Sequence, residues 1–245
     1  MRERLEQTPA VSDSRGAEPG APARVALREG RTEAVVVLAV DVALLTALAT
    51  IDTAKGWRII DLPWWTWLLM AAPALLLIGM LLASPLAELS PGRLRNVGVA
   101  LLGLLVASDA VGVAVLLAAL AGSGAGSLSA GELFAHGTVV WLSNIITFGL
   151  LFWQLDAGGP RLRAERGRPD PDFEFPQDAR RRVGWSARLS DYLYVSLTNA
   201  IAVSPTDTMP LTRRAKGLMA VESLISYAVV ILVIARAVNV VGASG

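Results

Sequence analysis

Three acidic residues stand inside long apolar runs: Asp41 in the first, Asp109 near the middle of the third and Glu222 in the last. A carboxyl at membrane depth is costly unless it pairs or meets water, so each is a candidate to bind a proton or a cation. Their plainer account is pairing with Arg236, with hydroxyls or with bound water. A second set lies just before the last apolar run: Thr198, Asn199, Ser204, Thr206 and Asp207. These side-chain oxygens are ligands that a monovalent cation takes where backbone carbonyls are not available. The plainer account here is a cap for the last helix, with Asp207 or Thr208 at its start. A third pattern contains the single histidine. At 100° per residue His136, Ser143, Thr147 and Gln154 fall within about 40° of one another, with Asn144 beside them. In lipid such a stripe turns toward protein or water. Interhelical hydrogen bonding, worth about 0.6 kcal/mol per contact on average, accounts for it at least as well.

Enzyme chemistry has little to stand on. The chain has no cysteine and one histidine, which excludes disulfides, thiolate metal sites and cysteine nucleophiles. No metal-ligand cluster, Ser-His-Asp set or Gly-rich phosphate loop can be read. Asp156, Asp170, Asp172 and Asp178 flank a polar segment without forming a motif. The expectation is a protein that is not an enzyme, with no cofactor, no metal and no nucleic-acid partner.

The elements that must position these residues are membrane helices. The 245 residues are 53% hydrophobic with a mean hydropathy of +0.52, and the apolar residues come in runs of about twenty. The fold class is all-α and polytopic, with five spanning helices and one re-entrant helix and loop before the last. Residues 1–32 read as a disordered polar tail, of which Arg24 to Thr32 extends toward the first helix. The first apolar run is long enough to stay as an anchor rather than to be cleaved as a leader. Residues 33–132 hold three helices: Glu33 to Thr53, Trp64 to Ala83 and Asn96 to Ala121. Trp57, Trp64, Trp65 and Trp67 read as an interfacial belt. Residues 133–245 form a second region, with a helix at 133–155, a polar connection at 156–189, a re-entrant piece at 190–209 and a long helix at 210–241. In the connection, Phe173 and Phe175 suggest a piece that docks on the protein or on the membrane surface. The re-entrant helix has Ser190 as its cap and Asp191 in its first turn, and Pro210 opens the last helix.

Charge gives an orientation. With the tail in the cytoplasm, nineteen of the 22 basic residues lie on the cytoplasmic face and only Lys55 and Arg58 lie outside. The positive-inside rule favours this placement in an inner (plasma) membrane.

The order of outer helix, polar connection, short helix, irregular loop and long inner helix resembles the pore module of tetrameric cation channels. On the potassium-channel pattern Ser196-Leu197-Thr198 falls on the Thr-Leu-Thr that ends the pore helix, and Pro210-Leu211 on the Pro-Leu of the inner helix. The glycine signature falls on Asn199 to Val203, and no glycine lies between Trp185 and Lys216. A carbonyl filter needs backbone that glycine supplies cheaply, so this module lacks it. In the orientation above, the pore loop enters from the cytoplasm. The pieces Trp141 to Pro160, Phe173 to Gln177 and Asp191 to Lys216 also resemble a family of bacterial integral membrane proteins. The likeness covers roughly the C-terminal half and implies no activity. The resemblance to channels implies cation conduction through a homo-oligomeric pore, most simply a tetramer, in the lipid bilayer. A scaffold with a degenerate pore fold, or a proton-linked transporter using Asp41, Asp109 and Glu222, stays open beside it.

Overall fold

The computed structural model describes residues 21–57, 59, 62–83, 91–121, 129–180, 185–201 and 207–242. They form α1 (Ala21–Lys55), α2 (Trp65–Leu82), α3 (Pro91–Ala121), α4 (Ala130–Leu155), α5 (Pro160–Arg166), α6 (Pro176–Ala179), α7 (Leu189–Ile201) and α8 (Arg213–Gly242). Two short strands, β1 (Phe173–Glu174) and β2 (Met209–Pro210), pair antiparallel. Five helical stretches are long and apolar enough to cross a membrane: Gly30–Lys55, Trp65–Leu82, Arg95–Ala119, Gly131–Arg166 and Arg213–Ile234. The chain is an all-α, multi-pass membrane protein.

The distribution of side chains is that of a body solvated by lipid. Leu69, Leu76, Leu104, Phe134, Leu224 and Tyr227 point outward, while Asp41, Asp109, Asn144, Thr147, Glu222 and Ser226 are buried. In water that arrangement is unfavourable; in hydrocarbon it hides these costly groups.

Several ends differ from the sequence expectation. Arg24 to Thr32 do extend the first helix, and α1 begins earlier still, at Ala21. A nucleated span extends cheaply into good helix formers such as Ala, Arg, Leu and Glu. The rest of the tail lies outside the described residues. Ser190 lies inside α7, not at its cap. Instead the Asp191 carboxylate accepts the backbone N–H of Arg188 at 2.7 Å, which satisfies a donor that the first turn leaves free. The last helix begins at Arg213, and neither Asp207 nor Thr208 caps it. Thr212 Oγ1 accepts the N–H of Ala215 at 3.1 Å, the geometry of an N-cap hydroxyl. Pro210 lies in β2 opposite Phe173, an edge position that needs no N–H from proline. Ser129 caps α4 by accepting from Glu132 N at 3.0 Å.

α4 is the central helix, packing against α1, α3, α7 and α8. Gly149 lets α7 come close: a Cβ there would lie 2.6 Å from Leu193 Cδ2 and 3.1 Å from its Cα. At Gly137 a Cβ would meet Val233 at 3.3 Å. Small residues at such crossings let membrane helices approach.

One end of the bundle is closed by the arginine-rich connection. α4 stops at Asp156, and Ala157, Gly158 and Gly159 follow with φ of 47°, 82° and 105°, a reversal that glycine permits. Asp156 is fully buried and accepts four donors: Asp172 N at 2.7 Å, Phe173 N at 3.2 Å, Arg168 Nε at 2.9 Å and Tyr192 Oη at 2.5 Å. Phe173 and Phe175, which were expected to dock, are buried against Phe152, Tyr192 and Trp185, with ring centroids 5.1 to 6.3 Å apart. Asp172 in turn takes Thr212 Oγ1 at 2.6 Å, and it pairs with Arg214. The starts of α7 and α8 are thereby fixed to the same end of the bundle. α7 enters there, and the chain is back at that end by β2.

Candidate functional site

The buried acids fall into two places on adjacent faces of α4. Asp41 on α1 and Asp109 on α3 are close enough for their charges to interact, and both face Ser143 of α4, with Thr147 also beside Asp109. All four side chains are buried. Neither Asp41 oxygen has a hydrogen-bond partner, and Asp109 Oδ2 and Thr147 Oγ1 also lack one. Among the described residues no Lys, Arg or His forms an ion pair with Asp41, Asp109 or Glu222. Two carboxyls in such a place cannot both be charged unless a cation joins them. Among the described residues none supplies that charge.

Glu222 sits elsewhere. Asn199 Nδ2 of α7 donates to Glu222 Oε2 at 2.6 Å and to Met219 O at 2.9 Å. Ser196 Oγ contacts Glu222 Oε1 and lies 2.8 Å from Ile145 O. Asn144 Nδ2 donates to Ser226 Oγ at 2.9 Å, and Ser223 Oγ donates to Asn199 Oδ1 at 3.1 Å. This knot ties α4, α7 and α8 together, and most of its groups are satisfied. It reads as interhelical adhesion with one acid inside it. Arg236, one of the partners considered for the three acids, lies about 21 Å along α8 from Glu222, and its side chain is outside the described set.

The three loop candidates among the described residues do not converge. Thr198 Oγ1 turns back on its own helix, donating to Tyr194 O at 2.8 Å. Asn199 faces α8, as above. Asp207 is exposed just before β2. Ser204 and Thr206 lie outside the described residues. The stripe on α4 does turn inward: His136, Asn144, Ser143 and Thr147 are all buried, and Gln154 is half-buried.

A third cluster at the opposite end of α4 contains a residue that sequence reasoning passed over. Asp52, near the end of α1, accepts the indole N–H of Trp67 at 2.8 Å and lies 3.1 and 3.2 Å from His136 Nε2 through its two oxygens. His136 Nδ1 is 2.7 Å from the Glu132 carbonyl. The tryptophan belt is therefore divided: Trp64 and Trp65 are exposed, while Trp67 turns inward with its ring centroid 5.0 Å from that of His136. The available signal was its place: an acid close behind Thr46 and Thr50 and one turn before Lys55 reads as the wet end of a helix.

Compared with known protein families, curated proteins and solved structures, the chain matches none.

Proposed function

We propose that this protein is a proton-linked transporter of the inner membrane, with Asp41 and Asp109 as the loading site and its arginine-rich end in the cytoplasm. One observation carries the reading. Two carboxyls from different helices meet at membrane depth over a shared hydroxyl, and the described side chains offer no cation to either. A group kept at that cost in a bilayer has a use for the charge it lacks. Ser143 and Thr147 are placed to follow a proton or cation as it binds and leaves.

Cation conduction through a homo-oligomeric pore built from 133–241 is the second reading. It is favoured by the entry of α7 and the return of the chain to the same end of the bundle. The involvement of Asn199 with Glu222, and of Thr198 with its own helix, leaves that reading fewer free ligands.

Purified protein in liposomes, with a pH-sensitive dye inside, tests both. Wild type is expected to move protons down an imposed gradient, Asp41→Asn and Asp109→Asn to lose at least 10-fold of that rate, and Asp207→Ala to keep it. Loss in Asp207→Ala alone would put the pathway at the loop and favour the pore. Flux of neither protons nor monovalent cations, from folded wild-type protein, would sink both readings.

A further inference from the structure

We propose that Asp52 and His136 form a second proton-binding site, at the tryptophan-rich end of the seam between α1 and α4. The Glu132 carbonyl can only accept, so His136 Nδ1, at 2.7 Å from it, carries a hydrogen. His136 Nε2 faces both oxygens of Asp52 at 3.1 and 3.2 Å. With a bare Nε2 and an ionised Asp52, a lone pair would point at a carboxylate. One further proton must lie between them, on the ring or on the acid. The Trp67 indole, donating to Asp52 at 2.8 Å, fixes the carboxyl against the ring.

Among the described residues, the groups facing the pair from each packed element are few; Arg58 and Asp61 of the segment between α1 and α2 lie outside them. α1 gives Asp52 itself and α2 gives the neutral indole of Trp67. The segment between them gives Trp57, its ring centroid 6.2 Å from that of His136. α4 gives Glu132, buried one turn back with Oε1 unpartnered. α3 offers apolar side chains at this level, Leu116 and Ala119. On α8 the charged residue of this end is Arg236, whose side chain is outside the described set. Among the described residues no three His, Asp or Glu side chains converge as metal ligands, so the ligand that suits this pair is a proton.

The site belongs to the same seam as the acid pair but is separate from it. His136 and Ser143 are seven residues apart on α4, about 10 Å along the axis. Between the two levels lie buried Leu45, Leu48 and Val140. Release is balanced simply. The shared proton passes to water at the tryptophan end, leaving a neutral imidazole with its hydrogen on Nδ1 and a carboxylate on Asp52. The Nε2 lone pair then faces that carboxylate and the contact opens.

His136 is the single histidine, so ¹⁵N-histidine labelling of full-length protein in nanodiscs gives a one-residue spectrum. The expected result is a pH titration in which Nε2 loses its hydrogen in the same step that shifts the Asp52 carboxyl ¹³C signal. Asp52→Asn should displace the histidine midpoint, and Asp52→Glu should restore the coupling. An Nε2 without hydrogen throughout the titration, or a midpoint unmoved in Asp52→Asn, would overturn the site. The proposal deepens the proton-linked reading, but its test does not depend on flux. A coupled titration in protein that moves no protons would keep this site and sink the transport reading alone.

Discussion

Asp156 and Asp41 are both fully buried aspartates in the same bundle, and their surroundings are opposite. Asp156 accepts two backbone N–H groups, a guanidinium and a phenol. Asp41 has no hydrogen bond at either oxygen and shares its space with a second acid. Burying a charge is repaid only by good partners. At Asp156 the chain supplies them all, and the arrangement fixes the connection, α7 and α8 to one end of the bundle. At Asp41 the described residues supply a hydroxyl and no opposite charge. A satisfied acid holds the fold, whereas an unsatisfied one is available to a ligand. Stability and transport should therefore respond to these two acids in opposite senses.

The largest effect on stability is expected at the satisfied end. Asp156→Ala leaves the Tyr192 hydroxyl without its acceptor and takes from Arg168 one of its two carboxylates, the other being Asp178. Breaking one side of a buried ion pair costs about 3–5 kcal/mol. Thermal unfolding in detergent should show that loss, together with early protease cleavage between residues 160 and 188. A variant as stable as wild type would remove the contrast on which the comparison rests.

Tyr192→Phe is a smaller cut in the same cluster. A hydrogen bond to a charged acceptor is worth about 1.5–3 kcal/mol, and the aromatic packing of Tyr192 on Phe173 and Phe175 stays. The effect should depend on pH. Burial, with the Asp156 carboxylate beside it, pushes the Tyr192 phenol above its ordinary value, partly offset by Arg163. A raised folded-state value favours the protonated form in the fold. The contribution is thus fully present below the ordinary tyrosine value of about 10 and is lost as pH rises beyond it. Wild type should lose stability above that pH more steeply than Tyr192→Phe; equal slopes would mean that the phenol titrates freely.

Much of this was legible in the sequence and some was not, for identifiable reasons. Asp41, Asp109 and Glu222 stood out because a carboxyl in an apolar run has few ways to be tolerated. Which of them meet was hidden. Position along a helix gives depth, but neighbours depend on the packing order around α4, which sets Asp41 and Asp109 on one face and Glu222 on another. The inward turn of Ser143 and Thr147 followed from their spacing. Asp52 was missed because an acid one turn before a lysine looks like a solvated helix end. Only the fold brings Trp67 and His136 over it. The start of α8 was placed too early because proline suits a first helical turn, but Pro210 equally suits an edge strand, and the partner that decides the matter, Phe173, is far away in sequence.

The smallest effect is expected where the sequence signal was strongest. Asp41→Asn keeps the volume of the side chain and keeps a carbonyl oxygen for the Ser143 hydroxyl beside it. It also removes one of two interacting acids from a low-dielectric site, which relieves rather than adds cost. Its unfolding free energy should lie within about 1 kcal/mol of wild type or above it, as surface-like substitutions do, even though proton flux is lost. Asp109→Asn should behave alike, and the double variant should add little, because the first substitution already removes the repulsion. A loss of several kcal/mol at Asp41 would mean that a partner does hold this carboxyl, and Asp41 would then belong with Asp156 among the acids that serve the fold.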